Sequence, residues 1–393
     1  MQKISYLVSH PIQYFSPLFR EMELTKEIDL TVYYCNDPVG RNVDTGFGKT
    51  IVWDVPLLDG YKSYFLKNFS PSSSIDNKFF GLMNFGIVKA LINDQSDIII
   101  VHGWSYFTNI LAILTARFLG KKLWVRAESP LSQEIIKPKV LRSLKMIVLG
   151  YGLFRLVNKF LYIGQQNRNF YLYYGVPSSK LLYAPYTVDN SFFILQANKL
   201  RKDKIQLRNH YGFSRESVVI LFSGKYIFKK RPLDLLKAFQ KLKHLPVTLL
   251  MLGEGELRNE MESFIKEKEL KNVFLTGFIN QSEISNFYAL SDLFVLPSGP
   301  GETWGLVVNE AMLFQLPVIV SSTVGCAKDL VKDGQNGFVF EEGNIDQLAE
   351  SLITLVTDHE LRKRAGYLSG EIIASYNYSV MIESIKSELK TSK

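Results

Sequence analysis

Two glutamates stand eight positions apart in SGPGETWGLVVNEA (Ser298–Ala311), Glu302 in a Gly/Pro loop and Glu310 in the apolar run that follows. Eight residues rise about 12 Å along a helix at ~1.5 Å each. That separation suits one carboxylate on a sugar ring and the other on a ribose, with a diphosphate between them. A helix opening near Gly305 leaves the N–H groups of Thr303, Trp304, Gly305 and Leu306 without helical partners. They would meet an anion together with the positive end of the helix dipole. A second cluster, Lys225, Lys229, Lys230 and Arg231, lies in SGKYIFKKRP (Ser223–Pro232). Two ammonium groups there would neutralise a departing nucleoside diphosphate. Alone, either cluster is also what a solvated loop or an ordinary basic turn looks like. Both fall after short β-branched runs, on adjacent strand ends, and jointly they point to one site.

The elements that must hold these residues alternate along the second half. SVVILFSGK (Ser217–Lys225), VTLLMLGEGE (Val247–Glu256), NVFLTGFI (Asn272–Ile279), LFVLPS (Leu293–Ser298), LPVIVSS (Leu316–Ser322) and GFVF (Gly337–Phe340) predict strands. Between them, Arg231–Lys243 carries a Pro at its start and an apolar stripe at helical spacing, and Leu257–Lys268, Ile284–Leu290 and Leu306–Gln315 predict further helices. In the first half, strands are expected at Ile4–Ser9, Leu30–Cys35, Asp97–His102, Lys122–Ala127 and Asn158–Ile163, and helices at Phe15–Leu24, Phe79–Asp94 and Thr108–Leu119. The polar stretch Gln196–Arg208 is the expected linker. The fold class is therefore α/β, with two doubly wound parallel-sheet domains facing a cleft. The expected division is 1–200, 201–375, and a last helix in 376–393, its crossing back to the first domain left open.

The chain has 393 residues, 47% of them hydrophobic, enough for two domains with real cores. No apolar run reaches the ~18 residues that span a bilayer. KISYLVSH near the start resembles a first strand, not a signal peptide. Two cysteines, Cys35 and Cys326, support neither a disulfide framework nor a metal cluster, and a cytoplasmic location is expected. Nearly all of the formal charge of +8 lies in residues 1–195, and no acidic residue occurs from Ile135 to Val188. This basic, apolar-interleaved stretch fits either an anionic membrane surface or a solvated face over a packed core. Nucleic acid is disfavoured, because no nucleic-acid fold motif is present.

The Glu-x7-Glu box, the Gly-Lys…Lys turn, GEGEL (Gly253–Leu257), LTGF (Leu275–Phe278) and VIVSSTVGCAKDLVKDGQNGFVF (Val318–Phe340) follow one another as in retaining glycosyltransferases of family 4, which this chain resembles. The resemblance covers residues 215–375 well and the first half loosely. It implies a GT-B fold, a nucleotide-diphosphate sugar donor (UDP- or GDP-linked), and transfer with retention and without a metal or other cofactor. It further implies that Lys225 and Lys230 hold the diphosphate, Glu302 contacts the donor sugar and Glu310 the ribose. Gly277 and Phe278 would line the nucleobase pocket, with Glu254 near it. The acceptor would be a glycan or a lipid-linked sugar in cell-surface polysaccharide synthesis, met at the inner face of the membrane.

The first half departs from the family pattern. The loop after the first strand is SHPIQYF, with His10 and Gln13 in place of a glycine pair, and a later strand ends in WVRAES, with Arg126 and Glu128; these four are the acceptor-side candidates, a surface Arg–Glu pair being the alternative for the last two. His102, at the end of DIIIVH, is the expected acceptor-orienting group, with a strand-capping role as the alternative. Cys326 replaces the second glycine of a common Gly-Gly turn. Competing readings are an epimerase or glycan phosphorylase on the same fold, and a silent nucleotide-sugar-binding module. The Glu-x7-Glu loop argues against the epimerase. No pyridoxal-binding lysine motif supports the phosphorylase, and the retained Lys and Glu pairs argue against the module.

Overall fold

A computed structural model describes residues 1–36, 53–76 and 78–391, and the backbone alone of 43–44 and 49–50. Its strands in chain order are β1 (Gln2–Val8), β2 (Ile28–Tyr34), β3 (Val43–Asp44), β4 (Lys49–Thr50), β5 (Lys62–Phe65), β6 (Ile98–His102), β7 (Lys122–Arg126), β8 (Lys159–Tyr162) and β9 (Leu181–Tyr183). They continue with β10 (Val218–Ser223), β11 (Val247–Leu252), β12 (Val273–Leu275), β13 (Leu293–Leu296), β14 (Val318–Ser321) and β15 (Gly337–Phe340). The chain divides into two units. Unit 1 takes Met1–Val39, Pro56–Tyr186 and Tyr378–Lys393; unit 2 takes Gly40–Val55 and Thr187–Asn377.

Unit 1 holds a parallel sheet in the order β5-β2-β1-β6-β7-β8-β9. Its central strands are nearly continuous apolar runs because helices cover both faces. On one face Tyr6 and Ile100 pack with Phe15 and Phe19 and with Met381 and Ile385 of the helix Tyr378–Thr391. On the other, Leu7, Ile99 and Val125 pack with the helix Phe107–Phe118 and with Phe160, Phe170 and Tyr174. Unit 2 holds the parallel sheet β12-β11-β10-β13-β14-β15. Phe222, Met251 and Val295 meet Leu235, Leu236 and Phe239 of the helix Pro232–Gln240 in its core.

In each sheet the strand order reverses once, between β1 and β6 and between β10 and β13. Ligands of doubly wound sheets bind outside the carboxyl ends of the strands at such a reversal. The loops after β10 and β13 carry Lys225, Lys230 and Glu302. The loop after β1 begins at Ser9-His10, and His102 is the last residue of β6.

Two stretches and the division between the units differ from the sequence expectation. The helix expected over Phe79–Asp94 is a 3-10 turn at Phe79–Gly81 and a helix only from Gly86 to Asn93. Asn84 prevents the joining: its side-chain amide donates to the carbonyls of Cys35 and Leu66, and its N–H donates to Thr108. Such side-chain bonds compete with helix formation. The stretch 196–208 is no linker. The helix Asn190–Leu200 runs through it, followed by Lys204–His210, where Lys204 and Arg208 both pair with Asp292. The units accordingly divide at Tyr186 and Thr187, ahead of the expected 200–201, because Phe193 packs on Tyr288 and Phe314. The C-terminal helix counts with unit 1; residues 392–393 of that segment lie outside the described residues.

Candidate functional site

In unit 2 the turn after β10 is shaped by close backbone approach. A Cβ on Gly253 would stand 1.9 Å from the Gly224 carbonyl oxygen, and one on Gly255 would stand 2.5 Å from that of Tyr226. The GEGE loop therefore lies directly on the Gly224–Tyr226 turn, and the Tyr226 N–H donates to the Glu254 carbonyl at 2.8 Å. Glu254 turns its carboxylate to Arg258 at 3.0 Å. The same carboxylate is 3.7 Å from the Cβ position of Gly277, whose φ of +81° suits glycine.

The aliphatic stem of Lys230 passes over Gly224, and its ammonium pairs with the Glu302 carboxylate. Lys229 donates to the Gly301 carbonyl at 3.1 Å. Burial acts to raise the Glu302 carboxyl, but the Lys230 and Lys229 ammonium groups and the Lys230 hydrogen bond hold it below its ordinary value. Burial lowers Lys229, and repulsion from Lys230 and Lys225 adds to that. Three ammonium groups therefore share one electrostatic environment with one ionised carboxylate. Arg231, the fourth base of the turn, is engaged elsewhere: at φ +51° it pairs with Asp234 and Glu342.

The loop after β13 is fixed from below. A Cβ on Gly325 would stand 1.8 Å from the Thr303 carbonyl oxygen. The Gly325 N–H donates to the Glu302 carbonyl and the Cys326 N–H to that of Trp304, both at 3.1 Å. Close approach requires glycine at 325 alone; Cys326 sits buried beside it, its thiol pushed well up by burial and by the Glu302 charge. The Trp304 indole is 2% exposed and donates to Asn309 at 2.9 Å, so it anchors the loop and leaves a ligand only the backbone. Gly305 caps the helix Leu306–Leu313 at φ +99°. Glu310 is on the buried side of this helix, 1% exposed, and Tyr288 donates its hydroxyl to the carboxylate at 2.6 Å. Phe278 meets Trp53 edge to face, at 6.0 Å between ring centroids. Tyr288 and Trp53 escape sequence reasoning, since an aromatic residue in a helix or a polar loop carries no mark of a distant partner.

In unit 1 His102 ends β6, and its Nε2 stands 3.5 Å from the Glu128 carboxylate. Its ring lies edge-on to Phe15 at 5.0 Å. Burial would raise the Glu128 carboxyl; hydrogen bonds from His102 and Tyr186 and the Arg126 charge bring it below its ordinary value. Arg126, expected on the acceptor side, is 1% exposed. Its guanidinium lies 5.2 Å from the rings of both Phe15 and Tyr186 and donates to the Met381 sulfur. His10 Nδ1 bonds the Ser9 hydroxyl at 2.9 Å. Gln13 is half-buried in the turn leading to the helix Ser16–Leu24.

The family described as glycosyl transferases group 1 matches residues 203–369, the stretch that holds Lys230, Glu302 and Glu310. Over 228 residues the chain is 25% identical to an uncharacterized glycosyltransferase of Methanocaldococcus jannaschii, covering 56% of this chain and 62% of that one. It spans less than two thirds of that relative. Over 342 residues it is 27% identical to the Escherichia coli UDP-Gal:alpha-D-GlcNAc-diphosphoundecaprenol alpha-1,3-galactosyltransferase, covering 84% of each. The crystal structure of Anabaena HepE in complex with UDP and glucose is similar at a TM-score of 0.73 and 17% identity, over the whole of both chains. At that identity the likeness is one of fold, the two Rossmann-like sheets of GT-B glycosyltransferases.

Proposed function

We propose, for a chain whose residues 203–369 match the glycosyl transferases group 1, that it moves a sugar from a nucleoside-diphosphate donor onto a glycan or lipid-linked acceptor, with retention at the anomeric carbon. Unit 2 binds the donor and unit 1 offers the acceptor. The observation that carries this reading is the Lys230–Glu302 pair at the β10/β13 reversal, with Lys225 and Lys229 in the same field. As the bond from the anomeric carbon to the phosphate oxygen breaks, charge develops on the diphosphate. Lys225, Lys230 and the N–H groups that open the helix Leu306–Leu313 stabilise it. Glu302 holds the donor sugar and Glu310 the ribose, while Gly277 and Phe278 flank the base. His102, positioned by Glu128, orients the acceptor hydroxyl that forms the new bond.

The E. coli relative, by its name, uses UDP-Gal and a diphosphoundecaprenol-linked acceptor. This supports a UDP-sugar donor and a lipid-linked acceptor here, and with them work at an anionic membrane surface in the cytoplasm. No metal is required in this reading, because lysines and helix N–H groups meet the leaving charge. The test is a panel of UDP- and GDP-sugars, read by release of nucleoside diphosphate. Lys230→Ala and Glu310→Ala should each lower turnover at least 100-fold, and Glu267→Ala, on an exposed helix face, less than twofold. Equal, small losses in all three variants would refute the assignment.

A further inference from the structure

The stretch after Glu128 forms one helical run: Lys139–Lys145, a π-helical turn at Met146–Gly152 and a 3-10 turn at Leu153–Leu156. Its inner side is pinned to unit 1. Leu149 and Phe154 are buried, and Gly150 comes so close to the helix Gln165–Tyr173 that a Cβ there would stand 2.7 Å from the Tyr174 carbonyl oxygen. Its outer side is also apolar. Val140, Leu144, Ile147, Val148 and Tyr151 recur at helical spacing, and all are exposed, Val140 at 82% and Tyr151 at 67%. Ile136, 67% exposed, extends the stripe. A helix apolar on both sides with one side open to water is an incomplete burial, and contiguous patches of this kind mark interaction surfaces.

The charges around the stripe identify what covers it. Lys137, Lys139, Arg142, Lys145 and Arg155 flank it, and the one acid of residues 134–156, Glu134, is nearly enclosed by Lys137, Lys145 and the Tyr174 hydroxyl. No helix among the described residues is long and apolar enough to cross a membrane. An apolar face edged by bases, on a segment too short to span, fits the boundary between anionic headgroups and acyl chains. We infer that residues 136–151 are an interfacial anchor that lies in the plane of an anionic bilayer, with Val140, Leu144, Ile147 and Tyr151 among the acyl chains. This deepens the membrane reading of the proposed function, on which it rests for its purpose. The anchor begins eight residues past Glu128, after the short helix Leu131–Ile135, so it would hold the acceptor side of unit 1 at headgroup level, where a lipid-linked sugar is displayed.

The full chain is floated with vesicles of phosphatidylcholine alone and of phosphatidylcholine with phosphatidylglycerol. The parent should bind the anionic vesicles, and bind them less as salt rises. A Val140→Ser/Leu144→Ser/Ile147→Ser variant should bind at least tenfold more weakly, with its melting temperature unchanged because all three side chains are exposed. In an Ile147→Trp variant, emission should shift to the blue on anionic vesicles. Three results overturn the anchor: parental binding by the triple serine variant, no parental preference for anionic vesicles, or a parental dimer that the serines dissociate while vesicles bind neither protein. Nucleoside diphosphate release is measured alongside. Serine-sensitive vesicle binding without release supports the anchor and overturns the reaction; release without vesicle binding overturns the anchor alone.

Discussion

Lys230 and Glu302, 72 positions apart in the chain, meet as an ion pair, the Lys230 stem passing over the glycine that follows β10. The pair joins the two loops that the strand reversal brings together, and it keeps the Glu302 carboxyl below its ordinary 4.5 against the opposing effect of burial. A carboxyl lowered in the folded state adds stability that is present above its unfolded value and is lost as pH falls through the folded one. The Glu302→Gln variant should therefore be less stable than the parent at pH 7, by about 2 kcal/mol. A fully buried pair would cost about 3–5 kcal/mol, and Lys230 retains some solvent contact. The gap should close as pH drops below the folded-state value. Urea unfolding at pH 7 and pH 3 measures it; a gap independent of pH would contradict the pairing.

Tyr288 donates to a carboxylate on the buried side of its helix. Tyr288→Phe removes that donor, and an under-satisfied buried acceptor costs about 1–3 kcal/mol. If Glu310 holds the ribose, the substitution should also raise the donor KM at least fivefold while kcat changes less. Urea denaturation and donor kinetics read the two effects. Unchanged KM with lowered stability would leave Tyr288 a purely structural partner.

At Gly325 a methyl group has no room, because the Thr303 carbonyl occupies the place. Gly325→Ala should push the Thr303–Trp304 loop outward, cost about 1–3 kcal/mol or more as overpacking, and weaken donor binding at least tenfold. Cys326→Ala, one position on, should cost less and leave donor affinity within about threefold. Calorimetric titration with UDP compares them, and equal behaviour of the two variants would count against the close approach.

His102 and Glu128 belong to unit 1, and the residues proposed to bind the donor belong to unit 2. Replacing His102 by Ala should lower transfer to the acceptor about 100-fold, at the low end of what a positioned acid–base group contributes. Glu128→Gln should lower it about tenfold. Neither should change UDP affinity by more than twofold. Loss of UDP binding in either variant would remove the acceptor-side assignment.

The positions of the loops that carry Lys225 and Glu302 were legible in the sequence because strand–loop–helix order fixes where a loop falls. Lys225 and Glu302 follow short buried runs and must emerge at the same sheet edge. What could not be read comes from side chains that act across the fold. Asn84 breaks a helical pattern by binding carbonyls of Cys35 and Leu66. Lys204 and Arg208 make an ordered helix of what composition marks as a linker, through one aspartate far along the chain. Arg126 shows the opposite failure. A strand-end arginine suggests a ligand contact, yet two aromatic rings and a thioether hold it inside.

The helix Tyr378–Thr391 closes one face of unit 1, covering Tyr6, Phe15 and Phe19, yet it is encoded after all of unit 2. During synthesis at about 5–20 residues per second, the first sheet to leave the ribosome waits some tens of seconds or less for its final cover. Unit 2 has its own core complete by then. A released chain that stopped near residue 377 would carry all of unit 2 but leave Tyr6, Phe15 and Phe19 of unit 1 without the helix that covers them.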